Sequence, residues 1–337
     1  MAGLTAGVEV QAASALGWVG RELGVVLGGA PTGVGAFGRM RLEVEATDFS
    51  SDSGSGSHSG STSGSGSRIG GIALMNAATS GFDLSFDVNA SETQVVARWR
   101  PGRREQALSR VLRARQRLLL AQALVHYPVL WQAGTGGAVP IAGCVLMVQG
   151  RGVLISGPSG VGKSTLVAQE LAAGATAVSD NLVVLNALNR IAHGVVEPLR
   201  ADFSLLPPGV ATPLPRRRTT HGRGEGHLNR RADSVSVDAV VLLRRNGAAP
   251  GLTRLSPGAA ARSLAAATYT AGELRRYWPF AAALAAAAGL GPVHPAVSDT
   301  CRALCAAVPC AELEVGPAPG PHLSEALNDL ESAPAWT

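Results

Sequence analysis

The chain has 337 residues, 29 Lys plus Arg against 24 Asp plus Glu, and a formal net charge of +5. A hydrophobic fraction of 46% supports a sizeable core and excludes a chain that is disordered throughout. So weak a basic excess, with no clustered patch in a recognisable module, does not point to nucleic acid as a partner.

In chain order, residues 1–49 read as an N-terminal segment containing a strand, and residues 50–71 as a Gly/Ser linker or loop. No basic segment followed by an apolar core marks a signal peptide, and no stretch makes an uninterrupted membrane span. The reading is a soluble, cytoplasmic protein with no membrane partner. Ser50 to Ser67 is SSDSGSGSHSGSTSGSGS, with too little apolar surface to offset its ordering entropy. Gly38 to Phe49, Phe82 to Val88 and Thr93 to Trp99 alternate apolar and polar residues, the period of half-buried strands. Two arrangements stay open. Either these flanks form one small β-rich unit with the linker inserted between strands, or the domain starts near Ile72 behind an unstructured N-terminus.

Pro101-Gly102 breaks the chain, and the spacing predicts a helix over 104–125 with Leu108, Val111, Leu112, Leu119 and Ala123 on one face. Arg103, Arg104, Arg110, Arg113, Arg115 and Arg117 crowd it, either as a solvated face or as a contact for an acidic partner. These elements close the segment 72–125. The main domain is assigned to 126–325 and a tail to 326–337.

Val145 to Val148 and Val153 to Ile155 are short apolar strands around a Gly150-Arg151-Gly152 turn. Gly157-Pro158-Ser159-Gly160-Val161-Gly162-Lys163-Ser164 then matches G-x-x-x-x-G-K-[ST], with a strand before it and a helical pattern from Thr165 to a stop at Gly174. The glycines let the backbone wrap closely, the N–H groups and helix N-terminus face phosphates, Lys163 bridges them, and Ser164 is placed for Mg²⁺. The composition singles out the same residue: of the 29 bases, 28 are Arg and one, Lys163, is Lys. A compact ammonium stands where a planar guanidinium would be a poor substitute. The nucleotide is read as ATP.

Downstream there is no apolar strand ending in Asp of the kind motor and transport ATPases carry, no LSGGQ-like stretch and no NKxD. Asp180 stands out instead, seventeen residues after Lys163 at the end of a short strand. It is a candidate Mg²⁺ ligand or proton acceptor. Arg216 to His227 reads as a Gly/Arg-rich loop, either a mobile lid over substrate or an irregular surface loop. Tyr277-Trp278-Pro279-Phe280 reads as a core cluster. Cys301, Cys305 and Cys310 read as small apolar residues of a buried helix and its neighbourhood, because no fourth metal ligand fits a zinc spacing.

From Ala142 to Val183 the chain resembles the catalytic domain of HPr kinase/phosphorylase, a family similar in fold to phosphoenolpyruvate carboxykinase. Gly150 and Gly152 match its turn, Gly157 to Ser164 its loop, Gly174 its helix end and Asp180-Asn181 its acidic pair. The pattern continues more faintly through Val196 to Arg200 and the strand Val237 to Leu243. The resemblance implies an α/β fold with a P-loop kinase core, a mixed sheet with flanking helices, and ATP and Mg²⁺ as cofactors. It places Mg²⁺ at Ser164, Asp180 and the carbonyl of Asn181, Asp180 as base, Lys163 on the phosphates, and Arg200 as a further cation. Ala142 replaces the family's His, Asn181 its second Asp, and Thr165 an acidic residue usual in the HPr enzymes. These departures direct the reading away from HPr and towards a kinase acting on a hydroxyl of a peptide or protein, such as a tailoring kinase of a peptide natural-product pathway. A free-serine kinase and an ATP-binding regulatory protein with impaired transfer are the alternatives. Homo-oligomeric assembly is left open.

Overall fold

The computed structural model describes residues 8–13, 16–28, 39–45, 69–88, 92–219, 221–245, 251–316 and 322–332. The Gly/Ser stretch from Ser50 to Ser67 lies outside the described residues. The chain is mixed α/β. Its first unit contains β1 (Val8–Ala12), α1 (Gly17–Leu27), β2 (Arg39–Glu45), β3 (Ile69–Leu74), β4 (Phe82–Val88) and β5 (Glu92–Trp99). The strands form one sheet in the order β1-β2-β5-β4-β3. β1, β2 and β5 run parallel, while β4 is antiparallel to both β5 and β3. β2 and β3, the described strands before and after the Gly/Ser stretch, belong to this one sheet, and β3 begins at Ile69, within the bounds assigned to the linker. The alternation explains the sheet's sidedness: Met40, Leu42 and Val44 are buried while their neighbours on β2 are not.

The predicted helix over 104–125 is longer and interrupted. It comprises α2 (Arg103–Val111), α3 (Arg113–Ala121), a π turn (Gln122–His126) and α4 (Tyr127–Thr135). Leu112 leaves helical geometry at φ −102° and ψ 54°. Ahead of Leu119 the apolar side chains of Val111 and Leu112 are 78% and 40% exposed. The π turn sits just before Pro128, whose ring would clash with the Leu124 carbonyl in a regular helix. From Leu119 onwards the helix is buried against the first sheet. Leu120, Leu124, Tyr127, Leu130 and Trp131 share one core with Leu42, Phe82, Phe86, Tyr277 and Phe280. Among the described residues, no helix is long and apolar enough to cross a membrane.

The second sheet contains β6 (Val139–Ala142), β7 (Cys144–Val148), β8 (Arg151–Ser156), β9 (Thr176–Ser179), β10 (Leu182–Asn186), β11 (Ile191–Gly194), β15 (Ser234–Arg245), β16 (Gly251–Arg254) and β17 (Cys310–Val315). A three-stranded sheet, β12 (Leu199–Ala201), β13 (Ala211–Arg218) and β14 (Gly224–Leu228), stands beside it in the order β12-β14-β13. Most of the stretch read as a Gly/Arg-rich loop is therefore the β13–β14 hairpin, and Thr220 in its turn lies outside the described residues. The helices are α5 (Lys163–Ala172), α6 (Pro257–Thr270), α7 (Tyr277–Ala288), α8 (Val297–Ala307) and α9 (Leu323–Ser332). β8, β15 and β17 run parallel, with the twelve-residue β15 in the middle. Leu154, Val240 and Leu242 pack under α6 and α8, while Val153, Ile155, Ala239 and Val241 pack under α5 and α9. Burial on both faces is why these strands read as unbroken apolar runs. Leu323 and Leu327 of α9 belong to the second of these cores, so the 325/326 boundary falls inside a packed helix.

β7 and β8 are joined by Gln149 and Gly150, both at positive φ, the geometry of a two-residue hairpin turn. Gly152 serves a different purpose. A Cβ there would lie 1.9 Å from the Ser236 carbonyl oxygen on β15. Gly152→Ala should force β8 and β15 apart and destabilise the fold by at least about 2 kcal/mol. Denaturant unfolding of the variant beside the parent measures this, and an unchanged midpoint contradicts it.

Candidate functional site

The loop between β8 and α5 lies at the C-terminal end of β8, beside the parallel strand β15. Gly157, Gly160 and Gly162 have φ of 149°, 79° and 121°, each in the region that favours glycine. At Gly157 a Cβ would also lie 2.7 Å from the Leu243 carbonyl oxygen. Val161 is buried and anchors the loop, while Pro158, Ser159 and Gly160 are exposed. Lys163 Nζ donates to the carbonyls of Gly157 at 2.7 Å and Pro158 at 3.0 Å, folding back over the loop. Burial lowers its pKa, opposed by the charge of Glu273. No side chain caps α5 at Gly162, which leaves the first-turn N–H groups, those of Lys163, Ser164 and Thr165, without a side-chain partner.

Asp180 and Asn181 form the turn between β9 and β10. Ser179 sets it: its hydroxyl donates to Leu182 O at 2.7 Å and accepts from the N–H groups of Leu182 and Asn181. The turn is locked against the β6–β7 junction. Gly143 N donates to Asn181 O at 2.9 Å, and the Cys144 thiol donates to Asp180 O at 2.8 Å. Ala142, at the position of the family's His, is the last residue of β6, and its carbonyl accepts from Ser156 Oγ at 2.7 Å. The Cys144 thiol is pushed up by burial first and by Asp180 next, while Lys163 opposes the shift. The turn is thus bonded to the Cys144 thiol, and the Lys163 charge acts on the same thiol.

The residues after Gly194 complete the cluster. Asn181 Nδ2 donates to Glu197 Oε1 at 2.9 Å, leaving its carbonyl oxygen uncommitted to that bond. Arg200 Nη2 donates to Glu197 Oε2 at 3.0 Å, and its Nη1 lies 3.8 Å from Glu273. Arg231 is delivered by the segment that runs along β9, where Ala232 N donates to Ala177 O at 2.8 Å. Burial lowers its pKa, opposed by Asp180, Asp233 and Glu197. His126, from the π turn, is buried with Nε2 3.3 Å from the Val196 carbonyl, and burial lowers its pKa.

Asp180 is 7% exposed. Its carboxyl is pushed up to about 7, by burial first and by the neighbouring Glu197 charge second, with Arg200 and Arg231 opposing. A carboxylate at this level is matched to proton transfer at neutral pH. The oxygen-only donors Ser164, Asp180, Asn181 and Glu197 suit a hard cation such as Mg²⁺, which takes one or two carboxylates and completes its shell with phosphate and water. Among the described residues, no group of three or more His, Cys, Asp or Glu side chains is placed to hold a metal.

Of the residues singled out from the sequence, Asn181 and Arg200 bond Glu197, Asp180 lies within its field, and Lys163 is bonded back to its own loop. Thr165 is exposed on the first turn of α5. Glu197, Arg231 and Glu273 had not been singled out. Glu197 carried a signal, an acid three residues before Arg200, whereas Arg231 was one arginine among 28. Cys301, Cys305 and Cys310 are free and buried, as expected of core residues.

No protein-family model and no curated protein matches the chain. Among solved structures, the HPr(Ser) kinase/phosphatase from Coxiella burnetii is similar at 12% identity and a TM-score of 0.27, over 57% of this chain and 87% of that one. So low a score carries no weight, and the site is read from its own geometry.

The Asp180 shift has a signed consequence. Its pKa is higher folded, about 7, than the ordinary 3.8, so the folded state holds the extra proton between these values. Stability contributed by the neutral acid is complete at low pH and is lost as pH rises towards 7. Asp180→Asn, which stays neutral, should therefore gain stability on the parent as pH rises from about 4 to about 7, then hold its advantage. Denaturant unfolding across that range tests it; a difference that is flat with pH refutes it.

Proposed function

We propose that the protein is an ATP-dependent kinase with a P-loop core of the HPr kinase type, transferring the γ-phosphoryl group to a serine-type hydroxyl of a peptide or protein. The observation that supports this reading is the sole lysine, set in a loop of three positive-φ glycines, together with the buried carboxyl of Asp180 between Arg200, Arg231 and Glu197. A tailoring kinase of a peptide natural-product pathway is the setting we infer.

The roles follow from the placement. The loop's N–H groups and Lys163 bind and orient the nucleotide phosphates. Ser164, Asp180 and the Asn181 carbonyl are the residues that would hold Mg²⁺, whose chemistry is to neutralise charge between the phosphates. Asp180 is also the residue that would accept the proton of the acceptor hydroxyl, burial making it a stronger base than an ordinary carboxylate. Glu197 orients Arg200 and Asn181 by direct hydrogen bonds. Arg231 makes no hydrogen bond to Glu197 or Asp180 in this structure's contacts, and serves as the cation on the transferring group.

The test is radiolabelled MgATP with a serine-containing peptide or with free serine as acceptor. Lys163→Ala should abolish nucleotide binding, and Asp180→Asn should lower transfer by about 10²–10⁴-fold while binding persists. Transfer that survives both substitutions sinks the reading. Label on free serine and not on the peptide would assign the small-molecule alternative. Binding with no transfer to either acceptor would assign the regulatory one.

Arg231→Gln should cut the transfer rate by about 10²–10³-fold at little change in ATP affinity. Equal losses in both quantities would place Arg231 in ground-state binding instead.

A further inference from the structure

A chain of alternating charges runs from the first unit into the site. Glu22, on α1, lies 2.5 Å from Arg217 Nη1 and 3.4 Å from Arg117 Nε. Arg217, on β13, donates from Nε to Glu225 Oε2 on β14 at 2.9 Å. Glu225 is the register partner of Arg200 in the β12–β14 ladder. Arg200 in turn holds Glu197, which holds Asn181 next to Asp180.

Three observations show that the ionic contacts, not the ladder, fix Arg217. The β13–β14 register is interrupted between Pro213 and Arg218, so Arg217 lies inside the irregular stretch. Arg216, beside it, is at φ 58°, a region that non-glycine residues enter only when their surroundings hold them there. The side chains of Arg217 and Glu225 are nevertheless only 11% and 14% exposed. The outer end of the contact is also secured: a Cβ on Gly28, which ends α1, would lie 3.5 Å from two ring atoms of His227 on β14.

Glu225 thus has two arginines within reach, one on each neighbouring strand. It is bonded to Arg217, and Arg200 is bonded to Glu197. A part-buried carboxylate that loses one cation takes the next available one, because an unpaired buried charge is far less stable than a paired one. We infer that Arg217, gripped by Glu22 from the N-terminal unit, is a positioning residue that occupies Glu225 and so leaves the Arg200 guanidinium on Glu197 beside Asp180. The first unit therefore has a part in the active site without contributing a residue that touches the nucleotide. This inference rests on the reading of Asp180 and Arg200 as parts of a phosphoryl-transfer centre.

The experiment has a structural and a kinetic arm. In a crystal structure of Arg217→Gln, the Arg200 guanidinium should have turned to Glu225, leaving Glu197 by more than about 4 Å. With MgATP and a serine-containing peptide, the same variant should show kcat lowered by about tenfold, at unchanged nucleotide affinity measured by a fluorescent ATP analogue. Arg217→Gln combined with Glu225→Gln removes the competitor and should recover most of that loss, with Arg200 back on Glu197. Glu225→Gln alone should fold and leave Arg200 in place, which keeps the test decisive if Arg217→Gln proves insoluble. Arg200 remaining on Glu197 in Arg217→Gln, or leaving it in Glu225→Gln, overturns the inference. So does a double variant no more active than Arg217→Gln. If the parent protein transfers no phosphate, the kinase reading fails on its own, and the position of Arg200 in the variant crystals still decides whether Arg217 holds it.

Discussion

Two acidic side chains, Asp180 and Glu197, are buried within each other's field, and much of the site is arranged around that fact. Burial disfavours the charge on Asp180, and the guanidinium groups of Arg200 and Arg231, from two different parts of the chain, oppose that effect. These cations in turn need fixed positions, which is why β12 and the segment along β9 are tied down by backbone bonds. The balance is incomplete by design of the residues present: burial and Glu197 outweigh Arg200 and Arg231, and Asp180 stays close to neutral pH in its proton affinity. That residual imbalance distinguishes a carboxylate able to take a proton from one locked in an ion pair.

Asn181, where the sequence resemblance leads one to expect a second aspartate, acts on the same balance. A third carboxylate in this turn would add a like charge next to Asp180 and push its affinity for protons higher still. Asn181 instead donates a hydrogen bond to the Glu197 carboxylate. The substitution looks like a loss when the motif is read as letters. In the folded protein it is a change of role, from sharing charge to orienting a neighbour.

Legibility followed locality. The loop Gly157 to Ser164 and the turn at Asp180 were readable because a short segment contains everything that defines them: glycines where φ is positive, a strand before and a helix after. The β2, β4 and β5 strands were readable from period-two alternation. Helix α1 was not, since Gly17, Gly20 and Gly24 give it a poor helical signature and its burial against β1 and α3 supplies the stability instead. The β13–β14 hairpin looked like a loop because Pro213, Pro215 and three arginines mask its alternation, and it is held by pairs formed across the fold. Arg231 could not be separated from the other arginines by any pattern, because only its distance from Asp180 makes it special. Glu197 was visible as an acid near an arginine, but its hold on Asn181 sixteen residues earlier depends on the turn geometry.

The strand order of the first sheet has an evolutionary consequence. β2 lies in the interior of the sheet and β3 at an edge, with β5 and β4 between them and the two running in the same direction. The chain must therefore travel about 14 Å across three strand spacings, and back along the sheet by about 20 Å. The 23 residues between Glu45 and Ile69 can reach roughly 75 Å when extended. The Gly/Ser codons of this stretch can therefore be gained or lost by replication slippage in several-residue steps before the span becomes too short to close the sheet. Homologous genes should accumulate length differences here sooner than in any strand, and a short epitope or fluorophore tag inserted here would leave the pairing register on both sides unaltered.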